Sequence, residues 1–104
     1  MEEKIKEGKS IINLILYEKP VAVILSLRSS EKYASKVSKE VDCTYTHTLK
    51  ILSELKSYGI VEFKKEGRIK KVKLTESGQE IANNLNRLIN VIKKFEGKKL
   101  KKKK

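Results

Sequence analysis

The chain has 104 residues, 37% charged and 38% hydrophobic, and its 25 lysines and arginines against 13 acidic residues give a net charge of +12. That length holds one small domain with a modest core, so a partner subunit can contribute to a stable assembly. No apolar run approaches the roughly 18 residues of a membrane span, Met1-Glu2-Glu3-Lys4 lacks the form of a secretion signal, and the single cysteine excludes an internal disulfide and a cysteine-built zinc site; a soluble, cytoplasmic protein is expected.

Residues 1–9 are charged and end in Gly8-Lys9. Ser10 can cap a short helix over Ile11, Ile12, Leu14, Ile15 and Leu16, although the same run also suits a strand. Pro20 fits the first turn of the next helix, where its missing N–H costs nothing. Val21, Val23, Ile24, Leu25 and Leu27 make that helix mostly buried. After the polar break Arg28-Ser29-Ser30-Glu31, a helix runs from about Ala34 to Val41, with Ala34, Val37 and Val41 on its buried face. Asp42-Cys43 makes a brief turn. Thr44 then caps a helix from Tyr45 to about Tyr58, whose core face reads Thr48, Ile51, Leu52 and Leu55. Gly59 closes it, because glycine enters the left-handed region without penalty.

The period then changes. Ile60, Val61 and Phe63 mark one strand, Glu66-Gly67 a tight turn, and Ile69, Val72 and Leu74 a second strand. Ile69 and Val72 have opposite parity, so a bulge or an early strand start is needed to reconcile them. Thr75 caps a final helix, with Glu76 in its first turn and an end near Phe95. Along it Ile81, Leu85, Leu88, Ile92 and Phe95 recur at four, three, four and three as a heptad seam. The expected class is mainly α with a small β-hairpin, α+β overall.

The charge is unevenly placed: +2 over residues 1–59, +4 over 60–75, −1 over 76–92 and +7 over 93–104. Such a chain favours polyanions, nucleic acid before an anionic membrane. The tail Lys98-Lys99-Leu100-Lys101-Lys102-Lys103-Lys104 has one leucine and would anchor poorly, so no membrane partner is expected. It reads equally as a solvated end and as a source of phosphate contacts. Lysine outnumbers arginine 22 to 3 and glutamate outnumbers aspartate 12 to 1, a bias shared by hyperthermophile proteins and AT-rich genomes.

Two short helices joined by a tight turn, then a basic hairpin, form a winged helix-turn-helix. The third helix is narrow enough for the major groove of duplex DNA, while the hairpin reaches phosphates or the minor groove. The stretch from Tyr33 to Gly78 resembles the MarR-like winged-helix transcriptional regulators of archaea and bacteria. Three pieces carry the resemblance: Thr44-Tyr45-Thr46-His47-Thr48 leading into Leu52 and Leu55; the helix exit from Leu55 to Val61; and Gly67-Arg68 followed by Leu74-Thr75-Glu76-Ser77-Gly78. The chain departs from the family in its short length and in Thr48, where an aliphatic residue is usual.

The resemblance implies that Tyr45, Thr46 and Lys50 face DNA, that Leu49 meets a thymine methyl, and that Arg68 enters a minor groove. From the residues themselves, Tyr45, Thr46, Leu49, Lys50 and Ser53 lie off the core face of the third helix, and Lys64, Lys65, Arg68, Lys70, Lys71 and Lys73 crowd one hairpin. The candidate DNA contacts are thus Thr44, Tyr45, Thr46, His47, Leu49 and Lys50 on the recognition helix, and Lys64, Lys65, Arg68, Lys70 and Lys71 on the wing. Ile81, Leu85, Leu88, Ile92 and Phe95 are the candidate dimer contacts. The implied organisation is an N-terminal segment, 1–18, that can reach a partner subunit; the winged domain, 19–75; a dimerisation helix, 76–96; and a lysine-rich tail, 97–104.

The expected partners are double-stranded DNA and a second copy of the chain, with no cofactor and no metal; an effector is not legible. His47 has no converging partner for catalysis or metal binding and reads as a packing or phosphate-contacting residue. Cys43 reads as a small packing residue, with a redox thiol as the lesser alternative. No phosphate loop, paired catalytic acids or nucleophile–histidine spacing appears, so no enzyme is expected. The alternatives are a general DNA-associated factor of chromatin, replication or basal transcription, a winged helix used for protein interaction, and an RNA-backbone binder.

Overall fold

The computed structural model describes residues 11–66 and 69–102. Ser10, Gly67 and Arg68, singled out above, lie outside the described residues. The elements in chain order are α1 (Ile11–Ile15), α2 (Glu18–Ser26), β1 (Lys32–Tyr33), α3 (Ala34–Glu40), α4 (Tyr45–Ser57), β2 (Val61–Glu66), β3 (Ile69–Leu74) and α5 (Glu76–Lys102). The helix alternative for Ile11–Ile15 is the one realised, and Pro20 lies in the first turn of α2.

The sheet is antiparallel with strand order β1-β3-β2. It has one strand more than the expected hairpin. Lys32 and Tyr33, between the polar break and the next helix, pair with Val72 and Lys71. The hairpin register runs without interruption from Val61↔Leu74 to Glu66↔Ile69. No bulge separates Ile69 from Val72; the strand starts early and Ile69 takes the opposite parity. Ile60 belongs to the helix exit rather than to the strand, because its N–H donates to the Leu55 carbonyl at 3.0 Å.

One core joins the helices to the sheet. Val23, Ile24 and Leu27 of the α2 segment meet Ala34, Val37 and Val41, the inward face of α4 (Ile51, Leu52, Leu55), Val61, Val72 and Leu74, and the first turns of α5 (Ala82, Leu85). Thr48 completes the α4 face at 0% exposure, yet its hydroxyl oxygen has no hydrogen-bond partner. An unsatisfied buried hydroxyl costs about 1–3 kcal/mol. Thr48→Val is therefore expected to raise the unfolding free energy by about 1 kcal/mol, read as a higher urea midpoint at unchanged m-value. A midpoint at or below that of the parent would show that the hydroxyl is satisfied in solution.

Both helices of the helix-turn-helix end in the same closure. At the end of α3 the Cys43 N–H donates to the Ser38 carbonyl (3.0 Å) and the Asp42 N–H to that of Lys39 (3.3 Å); at the end of α4, Ile60 donates to Leu55 (3.0 Å) and Gly59 to Lys56 (2.9 Å). This paired pattern is the Schellman motif, and it needs a left-handed residue. Gly59 supplies it at φ 77°, and Asp42 supplies it at φ 56° with a side chain in place. The Lys19 ammonium steadies the second case by donating to the carbonyls of Val41 (2.9 Å) and Asp42 (3.1 Å). Asp42→Gly removes the penalty of a Cβ in that region. The expected gain is about 0.5 kcal/mol, since glycine also loosens the unfolded chain. A lower melting temperature for Asp42→Gly would refute this assignment.

A polar hub ties α2 to α3 through β1. Lys32 donates to Glu40 (2.7 Å) and to the Ser26 carbonyl, and the Ser26 hydroxyl donates to Glu40 (2.7 Å). The Lys32 hydrogen bond, with that of Ser26, holds the Glu40 carboxyl below the ordinary carboxylate value.

Candidate nucleic-acid interface

The α4 helix starts where Thr44 accepts a hydrogen bond from the His47 N–H at 3.1 Å. The Thr44 hydroxyl thus acts as the cap that the sequence indicates. From there the side chains turn by about 100° per residue. With Thr48, Ile51, Leu52 and Leu55 inward, Thr46, Lys50, Ser53 and Ser57 point most directly away, and all four are exposed.

The remaining candidates fall on the two flanks of α4. Tyr45 is 49% exposed and Leu49 half-buried. They share a flank with Lys56, whose ammonium lies 5.9 Å from the centre of the Phe63 ring on β2. That flank therefore faces the wing. His47 lies on the other flank, toward α1. It borders a cleft of about 490 Å³ with Leu14, Tyr17, Pro20, Lys50 and Tyr58. Its exposure agrees with a surface role rather than packing of the helix-turn-helix.

The strand register divides the wing lysines. Lys65 and Lys70 pair with each other and share parity with Phe63 and Val72; Lys64 pairs with Lys71 on the opposite face, where Glu62 pairs with Lys73. Lys70 stands 5.2 Å from the centre of the Phe63 ring, so its face is the one that adjoins α4. The ring of Phe63 thereby joins a lysine of α4 to one of the wing. Lys71 is held elsewhere, 5.2 Å over the Tyr33 ring and 3.9 Å from the Glu31 carboxylate. Lys73 lies 3.7 Å from Glu62. Lys64 borders a polar hollow with Arg28, Ser30 and Gln79, behind the wing.

The structure thus brings Tyr45, Thr46, Leu49, Lys50, Lys65 and Lys70 to one side, with His47 at its margin. Lys64 and Lys71 lie across the sheet. Lys56 was absent from the candidate set, although its place seven residues after Leu49 puts it on the same stripe. Ser57 was also absent and faces outward. Two directly opposed lysine pairs, Lys64↔Lys71 and Lys65↔Lys70, occupy consecutive positions of the hairpin. Like charges at opposed positions destabilise a sheet. A bound polyanion would offset that cost. Among the described residues no group of three or more His, Cys, Asp or Glu side chains is arranged to hold a metal ion, and no helix is long and apolar enough to cross a membrane.

The expected seam on α5 divides in two. Ile81 is half-buried and Leu85 is 8% exposed within the chain's own core, whereas Leu88, Ile92 and Phe95 are 50%, 53% and 60% exposed. The helix also continues past the expected end near Phe95, to Lys102. Lysines toward a helix C-terminus complement its dipole, and no proline interrupts the run.

The order of helices and strands and the wing beside α4 define a winged-helix fold of the kind found in MarR-like regulators. No protein-family model matches the chain. An uncharacterized protein of Archaeoglobus fulgidus is 26% identical over 86 residues, which span 78% of this chain and 90% of the relative. The crystal structure of AF1382 from the same archaeon superposes with a TM-score of 0.71 at 23% identity, over 80% of this chain and 97% of that one. The MarR family transcriptional regulator SPO1453 from Silicibacter pomeroyi gives 0.69 at 18% identity, over 86% of this chain and 66% of that one.

Proposed function

We propose that this protein is a sequence-specific, double-stranded DNA-binding transcriptional regulator that acts as a homodimer. The α4 helix enters the major groove, and the wing lies on the neighbouring backbone or minor groove. The observation that carries this reading is the meeting of Lys56 and Lys70 at the Phe63 ring, with Lys65 directly across from Lys70 and Lys50 on the outward face of α4. The fold shared with a MarR family transcriptional regulator supports it. A C2 dimer would present two such helices to a palindromic site.

Selection of bound sequences from a random duplex pool tests the reading. The expected product is a defined palindromic motif. Binding without a motif and with a steep salt dependence would instead indicate a general DNA-associated factor. Failure to bind duplex at low salt would leave a protein-interaction winged helix. Sedimentation of the free protein at micromolar concentration tests the dimer, and a clean monomer would remove it.

A further inference from the structure

Phe63 is the only aromatic residue of the hairpin sequence, and it sits half-buried against the core. Two ammonium groups approach its ring from different elements, Lys56 of α4 at 5.9 Å from the ring centre and Lys70 of β3 at 5.2 Å. The two charges are therefore no more than about 11 Å apart. Long, flexible lysine side chains can close that distance on one small anion. Among the described residues neither lysine has a carboxylate partner. Glu54 and Glu62, one near each of them, are turned away: Glu54 borders the cleft toward α1, and Glu62 lies across the sheet beside Lys73. The kind of holder matters. A carboxylate cancels a lysine's charge and takes up its donors, as Glu31 does for Lys71 and Glu62 for Lys73. An aromatic ring attracts the ammonium through its quadrupole and leaves both the charge and the N–H donors available. Two like charges beside one ring repel each other, and an anion between them relieves that repulsion.

We infer that Lys56 and Lys70 close on a single phosphate of the DNA backbone, and that Phe63 is the positioning residue that sets both. The inference rests on the DNA-binding reading above and adds to it the point at which helix and wing meet one phosphate. The ring itself touches no DNA. It contributes affinity because side chains already placed lose less freedom on binding. The contact carries no base information, so its effect is the same for every duplex sequence.

Duplex affinity and its salt dependence, measured on variants of the full chain, test this. Phe63→Leu removes the ring and keeps both charges, and is expected to lower affinity about fivefold to tenfold at low salt. Phe63→Tyr keeps the ring and is expected to stay within about twofold of the parent. In a Lys56→Gln/Lys70→Gln background the Phe63→Leu change is expected to have no effect on affinity, a result that a merely structural role for the ring would not produce. Two lysines on one phosphate neutralise one phosphate. The Lys56→Gln/Lys70→Gln variant is therefore expected to make the slope of log K against log salt shallower by about 1. A change of about 2 would place the lysines on separate phosphates and overturn the inference. Phe63→Leu binding as tightly as the parent would overturn the positioning role. Should Phe63→Leu fail to fold, the slope of the double lysine variant decides, since both of its positions are exposed. A parent chain that binds no duplex at low salt would refute the DNA-binding reading itself, a result distinct from either of these.

Discussion

Gly78→Ala is expected to destabilise the fold by about 3 kcal/mol or more, a large share of the stability of so small a domain. Gly78 lies in the first turn of α5, where alanine would ordinarily gain about 1 kcal/mol over glycine. The site does not permit that gain. A Cβ built on Gly78 would stand 2.0 Å from the carbonyl oxygen of Ile60 and 3.1 Å from a methyl of Leu74. The obstacle is backbone, which cannot turn aside as a flexible side chain can. The same carbonyl accepts the Thr75 N–H at 2.9 Å, and the Thr75 hydroxyl donates to the Gly59 carbonyl at 2.6 Å. Making room for a methyl would pull α5 off the exit of α4 and disrupt both bonds. A fall in melting temperature of about 12 °C or more is the expected readout. Ser77→Ala, at the exposed neighbouring position, should stay within about 0.5 kcal/mol of the parent. A Gly78→Ala protein that melts with the parent would show that α5 does not rest against Ile60.

That junction accounts for much of what could be read from sequence. Thr75 and Gly59 each have a local signature, a cap and a stop, whose effect is confined to a few residues, whereas the need for glycine at position 78 comes from the approach of Ile60, distant in sequence. The inward face of α4 was legible for the same reason: Thr48, Ile51, Leu52 and Leu55 follow the helical period. The strand β1 was not legible. A two-residue strand has no alternation to detect, and Lys32 and Tyr33 become extended by pairing with Val72 and Lys71, far along the chain. The division of the wing lysines was hidden as well. Composition places them on one hairpin, but only the register assigns Lys65 and Lys70 to the face beside Phe63 and Lys64 and Lys71 to the other. The α5 seam shows the limit of periodicity most directly. Spacing marks Leu85 and Leu88 as equals, yet one is in the core and the other is half exposed. A heptad pattern identifies the apolar side of a helix and says nothing of which chain covers it.

The placement of Thr75 also connects the last two helices. Its hydroxyl accepts from the Gly78 N–H at 3.0 Å while donating to Gly59. One side chain therefore caps α5 and holds the closing residue of α4. The start of α5 and the exit of α4 are thus joined by direct hydrogen bonds.

Lys65→Glu is expected to strengthen the fold and weaken DNA binding at once. Lys65 is exposed and stands directly across from Lys70. Turning a like-charged cross-strand pair into an opposite one is worth up to about 0.5–1 kcal/mol of stability. The Lys70 and Phe63 side chains are themselves kept, so the change is confined to one charge on that face. On DNA the change removes one cation from the side shared with α4 and introduces an anion. The expected loss of duplex affinity at low salt is about tenfold, with the slope of log K against log salt becoming shallower by about 1. The loss should be similar for every duplex sequence, because a phosphate contact carries no base information. Lys71→Gln, across the sheet and already held by Glu31 and Tyr33, is expected to change affinity less. The opposite signs of the stability and affinity effects separate a functional charge from a structural one. If Lys65→Glu bound duplex as tightly as the parent, with an unchanged salt slope, the wing face beside α4 would not be the one that meets the phosphates.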